Sequence, residues 1–417
     1  MRVTTLISFA VASLVVGSLS SAVAKPVDGS ARRAALAGGA EGLTGGAELI
    51  QDHADVFTFP QLTTRYRNLA HVSMGLDTGD GDGLLLFGSD RFTIGVGLHS
   101  DRTLQLPGSS APTAPASAGD FQGVSELHNM ADLLLGINLD SGSIGAAISL
   151  AFDKDNRITS GGGEGAAAVT EADSGYGLGL KLGYSRETWD VAIGLEMQDI
   201  TSEAVDTTSQ SAIGFDARGR GYFEWQEAVK LGWLAGLDIQ NQGVRVTSED
   251  GSVQEHDRLG WGVFGAFGPV YQMKNRAEIG AYGLIRVGGS SGIQLEDPSS
   301  PLGACQSGED CKTSTLILPG FQLGGEFWVE DWISIRAGAQ YTMTSASESV
   351  IAETVPPNKV TDRSRQDGTF GWSAGVGVKL EDFSFDGVLQ DSWLTDGPLL
   401  LSEDSGLFAG VSASYRF

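Results

Sequence analysis

The last stretch of the chain, read backwards from its end, limits the fold more than any other feature. Phe417, Tyr415, Ala413, Val411, Ala409 and Leu407 are apolar, and Arg416, Ser414, Ser412, Gly410, Phe408 and Gly406 stand between them. A period of two makes one strand with a greasy face and a mostly small or polar face. In a sheet immersed in water the greasy face meets a core. In a transmembrane barrel it meets lipid, and the other face meets the lumen.

The same alternation recurs along the chain. Tyr176, Leu178, Leu180, Leu182 and Tyr184 alternate with Gly177, Gly179, Lys181 and Gly183. Trp189, Val191, Ile193, Leu195 and Met197 alternate with Asp190, Ala192, Gly194, Glu196 and Gln198. Ile333 to Met343 and Trp372 to Leu380 repeat the pattern. Such segments are weak singly and strong in series. Their connections are sorted by length. Short turns are expected at Asp140–Ser143, Arg186–Thr188, Glu227–Ala228, Lys274–Arg276, Glu330–Trp332 and Leu380–Asp382. Long polar loops are expected near 100–131, 154–174, 199–218, 240–257, 290–314, 345–368 and 391–404. Short and long alternate to the C-terminus, as short periplasmic turns and long external loops do in a membrane barrel. The expected fold is all-β: a transmembrane antiparallel up-and-down β-barrel of 14–16 strands over residues 69–417. Candidates near 69–76 and 84–88 are short, and placing them in a plug leaves fourteen strands. Either count is even, so both ends of the barrel fall on the periplasmic side. Trp189, Trp225, Trp261, Tyr271, Trp332, Trp372, Tyr415 and Phe417 sit near strand ends, where rings suit a membrane interface. Trp328 shares parity with Glu326 and is expected to face the lumen.

Residues 1–24 carry Arg2, an apolar run Leu6–Val16 and a small-x-small site, Ala22-Val23-Ala24. The run is too short to cross a bilayer, so it reads as a secretory signal peptide. Its removal takes one positive charge, and −25 becomes −26. An exported chain with no membrane helix can span a membrane only as a closed barrel. A C-terminal Phe417 with Tyr415 two residues before it resembles the assembly signal of bacterial outer-membrane β-barrels. That resemblance implies the outer membrane as the location and, as partners, outer-membrane lipid and the barrel-assembly machinery.

The net charge of −25 and sequence pI near 4.4 argue against nucleic acid, whose phosphates need a basic surface. Glycine, at 59 of 417 residues, is about twice its usual ~7% share, which suits strands packed around a tight closed sheet. Cys305 and Cys311 bracket five residues, and export permits a disulfide clipping that short loop. Asp77–Gly83 (Asp-Thr-Gly-Asp-Gly-Asp-Gly) has the acidic-glycine look of a calcium loop but lacks the closing glutamate, so it reads as a solvated turn, and no metal or cofactor is expected.

Residues 25–68 do not read as strands and are expected to form a plug or a periplasmic extension. They contain Gly45-Gly46-Ala47, the acidic stretch Asp52–Asp55 and the aromatic-proline element Phe57–Pro60. This order before the first strand resembles the long-chain fatty-acid-transporter-like barrels over about a tenth of the chain. The resemblance implies fourteen strands, an N-terminal hatch and an apolar solute. Where that family carries Asn-Pro-Ala, this chain has Phe59-Pro60-Gln61.

If the greasy residues face lipid, their neighbours line the lumen. The inward candidates are Lys181, Asp190, Glu196, Lys230, Asp238, Arg276, Glu278, Arg286, Glu326, Arg336 and Lys379. The two signs nearly balance, which predicts a filled or weakly selective interior rather than a strong ion filter. The five histidines, His53, His71, His99, His128 and His256, show no arrangement that implies a catalytic triad, and no catalytic residues are expected. The resulting reading is a passive channel or transporter for small solutes, apolar ones included. A structural or adhesive barrel and an outer-membrane hydrolase are the alternatives. On the same face assignment, Val376→Arg should impair assembly, and Gly377→Ser should be tolerated better.

Overall fold

The computed structural model describes residues 31–37, 49, 51–75, 81–99, 130–159, 169–203, 207–247, 253–273, 276–293, 310–351, 360–389 and 408–417. The signal peptide 1–24, Cys305, His128 and residues 76–80 of the calcium-like segment lie outside these. Among the described residues are sixteen strands. They are β1 (Leu69–Gly75), β2 (Gly81–Gly88), β3 (Phe92–His99), β4 (Met130–Leu139), β5 (Gly142–Thr159) and β6 (Val169–Ser185). They continue as β7 (Trp189–Glu203), β8 (Thr207–Gln226), β9 (Val229–Thr247), β10 (Val253–Met273) and β11 (Ala277–Ile293). The ring is completed by β12 (Asp310–Glu330), β13 (Ile333–Ile351), β14 (Val360–Leu380), β15 (Phe383–Leu389) and β16 (Phe408–Arg416).

Every strand pairs antiparallel with its neighbours in sequence, and β1 pairs with β16 from Leu69↔Arg416 to Gly75↔Gly410. The barrel is therefore closed and has no free edge. The two short segments near the start are wall strands, because their hydrogen bonds complete the ring. The count is sixteen, against the fourteen that the family resemblance implies.

Period two becomes inside and outside. Ile193, Leu195, Leu180 and Leu182 are about half exposed on the outer face, while Asp190, Glu196, Ser334 and Arg336 are buried on the inner one. Exposed outer apolar side chains recur on strand after strand, the reverse of a water-soluble sandwich and the pattern of a lipid-facing wall. Trp225, Tyr271, Trp332, Tyr415 and Phe417 are exposed near the short-turn end, as a girdle requires. There the Phe417 amide donates to the Asn68 carbonyl at 3.1 Å, and its ring lies 5.3 Å from that of Phe87.

Several polar stretches expected to be loops are strand. Residues 154–159, 207–218, 240–247, 310–314 and 360–368 continue β5, β8, β9, β12 and β14. Asp82 and Gly83 lie in β2, and His256 lies in β10 rather than in an external loop. Above the lipid both faces of a strand meet water, so alternation vanishes while pairing persists. The wall height is uneven. Neighbours β15, β16 and β1 to β4 have 7–10 residues, whereas β5 to β14 have 15–21.

One inward site is more crowded than its parity implies. Gly377 faces inward, but a β-carbon there would run into the Arg336 guanidinium and come within 2.6 Å of Ser334 Oγ. Gly377→Ser would therefore push on a buried ion pair. Gly260 is the better inward site, because nothing lies within 4 Å of its added β-carbon. Ile193→Arg, on the outer face about five residues above a short turn, should cost roughly 2–4 kcal/mol near mid-bilayer. Gly260→Ser should cost little. Urea midpoints of refolding into vesicles check the contrast, and equal midpoints would reverse the face assignment.

Candidate functional site

The N-terminal segment lies against the inner wall in its short-turn half. Its pieces are α1 (Ala31–Ala37) and two 3-10 turns, His53–Phe57 and Pro60–Thr64. Asp52 caps the first turn: its Oδ1 accepts from the Ala54 amide at 3.1 Å, and Asp55 Oδ2 accepts from the Asp52 amide. Pro60 opens the second turn, where its missing N–H costs nothing.

Two contacts need glycine. A β-carbon on Gly145 of β5 would lie 2.4 Å from Gln61 Cα, and one on Gly375 of β14 would lie 2.6 Å from Ala35 Cβ. The wall thus offers backbone-deep seats for the second 3-10 turn and for α1. Over the first seat, Gln61 Nε2 donates to the Tyr184 and Val191 carbonyls at 3.2 and 3.3 Å. Over the second, Ser373 Oγ donates to the Ala35 carbonyl at 2.9 Å. Val56, Phe59 and Leu62 pack with Leu69, Leu84, Leu86 and Leu134 of the wall in one fully buried cluster. Leu49 packs on Leu234, Phe264 and Tyr282, and its carbonyl accepts from Tyr222 Oη at 2.8 Å.

Charge completes the attachment. Arg220 of β8, with no exposed surface, donates from Nε to Asp190 Oδ2 at 2.9 Å and from Nη1 to Asp55 Oδ2 at 2.7 Å. Its guanidinium also lies 4.6 Å from the centre of the Phe59 ring. Arg33 of α1 pairs with the same Asp55. Across the lumen, Arg32 Nη2 donates to Glu326 Oε2 at 2.8 Å, Arg336 Nε donates to Glu326 Oε1 at 2.6 Å, and Arg336 Nη1 reaches Asp386 at 2.5 Å. Arg32 also lies 3.6 Å from Asp52. Two chains of ion pairs, one on β7–β8 and one on β12, β13 and β15, therefore hold the segment from both sides. Burial alone would raise the Asp52 carboxyl. The charges of His53, Arg32 and Arg33 outweigh it and hold that carboxyl below the ordinary range.

The inward candidates separate by height. Asp190, Glu326 and Arg336 belong to the segment's attachment. Lys181, Glu196, Asp238 and Arg286 stand on the wall above it. Lys230 and Glu278 are half-buried near the short-turn end, and Lys379 is exposed at that rim. Arg276 is exposed in the turn before β11 rather than on the wall, and its carbonyl accepts from the Trp328 amide at 2.8 Å. Half-buried Trp328 lines a cavity of about 360 Å³ with Arg32, His53, Glu326, Lys379 and Asp386. Sequence reasoning missed Arg220, Arg218, Asp216 and Asp386. The first three fall in or beside a stretch read as loop. The partner of Arg220 in the segment lies 165 positions away, so no local signal marks the pair. Among the histidines, His71 Nδ1 lies 2.9 Å from Ser414 Oγ, and its ring packs 4.0 Å from that of His53. Among the described residues no group of three or more potential ligands is placed to hold a metal ion.

Replacing Arg220 with Met leaves Asp55 and Asp190 as buried charges, and should weaken seating by about 3–5 kcal/mol. Protease cleavage within residues 51–67, with the barrel intact, would read that loss; unchanged cleavage would contradict it. The Asp52 contribution to seating should persist as the pH falls to about 4, the range of a free Asp, and decline below it, where the released carboxyl takes a proton before the seated one does. The same cleavage measured between pH 7 and 2 should rise only at the acid end, and least in Asp52→Asn.

No family model matches the chain, and no curated protein matches it. Solved structures do. The toluene transporter TodX of Pseudomonas putida is 11% identical, over 95% of this chain and 100% of that one, with a TM-score of 0.36. The siderophore receptor PiuA of Acinetobacter baumannii is 8% identical over 63% of this chain and 47% of that one, with a TM-score of 0.38. The β domain of the Bordetella autotransporter BrkA is 9% identical over 84% of this chain and 96% of that one, with a TM-score of 0.31. At these identities and scores the similarity assigns neither an activity nor a solute.

Proposed function

We propose that the chain is an outer-membrane channel for small solutes whose N-terminal segment closes the lumen from the periplasmic side, and that it has no catalytic role. The observation that carries this reading is the buried Arg220–Asp55 pair, a charge contact between segment and wall with no access to water. A purely structural barrel has no need to hold a separate segment inside itself with desolvated charges, which are costly to bury and costly to separate. A gate does need an attachment that is strong, specific and breakable. The exposed apolar outer face supports a place in a membrane, and the signal-like residues 1–24 support export to the outer one.

The height of β8 to β14 favours a second reading. Strands of 17–21 residues exceed the ~9–11 that a bilayer needs, so the wall rises well outside the membrane and offers an adhesive surface. Planar-bilayer recordings separate the two. The mature chain should be closed most of the time, and a chain lacking residues 25–68 should give steady open steps. Silence from both, with the barrel shown folded by heat-modifiable gel migration, would favour the adhesive reading.

A further inference from the structure

The outer wall carries a hollow kept open by one glycine. It lies over β10 to β14, has a volume of about 460 Å³ and is lined by no charged residue. Phe267 and Pro269 of β10 stand on one side, and Phe321 and Leu323 of β12 on the other. Ala281 and Gly283 of β11 form the floor between them. Strand register fixes this arrangement, because Phe267 pairs with Gly283, Gly283 with Phe321, and Ala281 with Leu323. Phe267, Phe321 and Leu323 are about half exposed, so they project from the wall as two ridges.

Gly283 keeps the floor low. A β-carbon there would meet nothing closer than the Phe267 carbonyl oxygen at 3.8 Å, so a larger side chain fits without moving the backbone. At Gly145 and Gly375 the N-terminal segment presses on the wall and excludes a side chain. No such contact bears on Gly283.

Height places the hollow in hydrocarbon. Gly283 stands six residues beyond Ala277, the first residue of β11 (283 − 277 = 6). At ~3.3 Å per residue and a tilt near ~40°, that is roughly 15 Å above the short-turn end, inside the ~25 Å apolar band of a barrel wall. Tyr341 of β13 pairs with Phe321 and forms the upper rim. Its hydroxyl points away from the short turns: it would lie 3.0 Å from a β-carbon on Gly368, which is further up β14 than Phe370, the partner of Tyr341.

A hollow at that depth meets acyl chains or another membrane protein, and its shape separates the two. A stable protein interface takes about 800 Å² from each partner. The wall of a second barrel would rest on the Phe267 and Phe321 ridges and leave the floor untouched. A single flexible chain passes between the ridges and touches floor and both sides, recovering dispersion contacts that an empty groove forgoes. The volume is also within the ~300–1,000 Å³ of pockets that hold one small ligand. We propose that this hollow is a binding site for one acyl chain of a membrane phospholipid, with Tyr341 at the headgroup end. The inference rests on the lipid-facing wall and is independent of the channel reading.

The test is native mass spectrometry of the refolded full chain in detergent, titrated with dipalmitoyl phosphatidylethanolamine. One lipid should add saturably. Dihexanoyl phosphatidylethanolamine has the same headgroup but chains too short to fill the hollow, and should bind about tenfold more weakly or worse. Dipalmitoyl phosphatidylglycerol should bind as well as the first lipid, because no charge lines the hollow. Gly283→Phe fills the floor and should weaken the long-chain lipid about tenfold or more. Ala235→Phe, exposed on the outer face of β9 and outside the hollow, should not. Absence of a saturable adduct, equal binding of the short-chain lipid, a strong headgroup preference, or unchanged binding by Gly283→Phe would overturn the proposal. So would a dimer that Gly283→Phe makes monomeric, since the occupant would then be a second copy. The lipid series needs only the unmodified protein, so it decides even if a variant fails to fold.

Discussion

A sheet in lipid cannot leave a backbone edge unpaired, and every other feature of this molecule follows from that constraint. Each exposed N–H or C=O in hydrocarbon costs several kcal/mol, so the strands must close into a ring. Closure here depends on the short β1–β16 seam, seven register pairs from Leu69↔Arg416 to Gly75↔Gly410. Once the ring is closed, alternate side chains have only two destinations. The outer set is free to be greasy. The inner set must fill or line a cavity, and in this chain it does both.

The inner wall is divided by height. In the short-turn half it is shaped as a receptor for the chain's own N-terminal segment, with glycine seats at Gly145 and Gly375, a greasy cluster around Phe59 and Leu62, and close ion pairs on two sides. Burying so many charges adds little net stability, because desolvation offsets most of the attraction. What the pairs add is position: a segment displaced by a few ångströms leaves several charges buried and alone. Above it the inner wall is polar, with Lys181, Glu196, Asp216 and Asp238 on it.

Much of the fold was legible from residue order alone. Period-two alternation and the sorting of connections by length indicate a barrel, place the short turns to within a residue or two, and assign inward parity to Asp190, Glu196 and Arg336. What was not legible has physical reasons. Polar stretches such as 207–218 look like loops because a strand wet on both faces carries no alternation. Leu69–Gly75 looks too short for a wall strand because its role is set by a partner at the other end of the chain. Arg220 was invisible for the same reason, since its partners Asp190 and Asp55 lie on separate elements brought together only by closure. Gly377 shows the limit of parity. Which face a residue takes is readable, but whether there is room for a larger side chain is not.

The central claim is that the segment sits in the lumen and closes it, and a reversible tether tests that most directly. Cysteines at Ala35 and Ser373, neighbours through the Ser373 Oγ–Ala35 carbonyl contact at 2.9 Å, would link α1 to β14 in a chain with Cys305 and Cys311 changed to Ser. The account predicts that the disulfide forms readily in intact outer membranes and that the oxidised protein stays silent in a bilayer. On reduction, brief openings should return. A pair that fails to cross-link, or a cross-linked protein that conducts as freely as the reduced one, would contradict it.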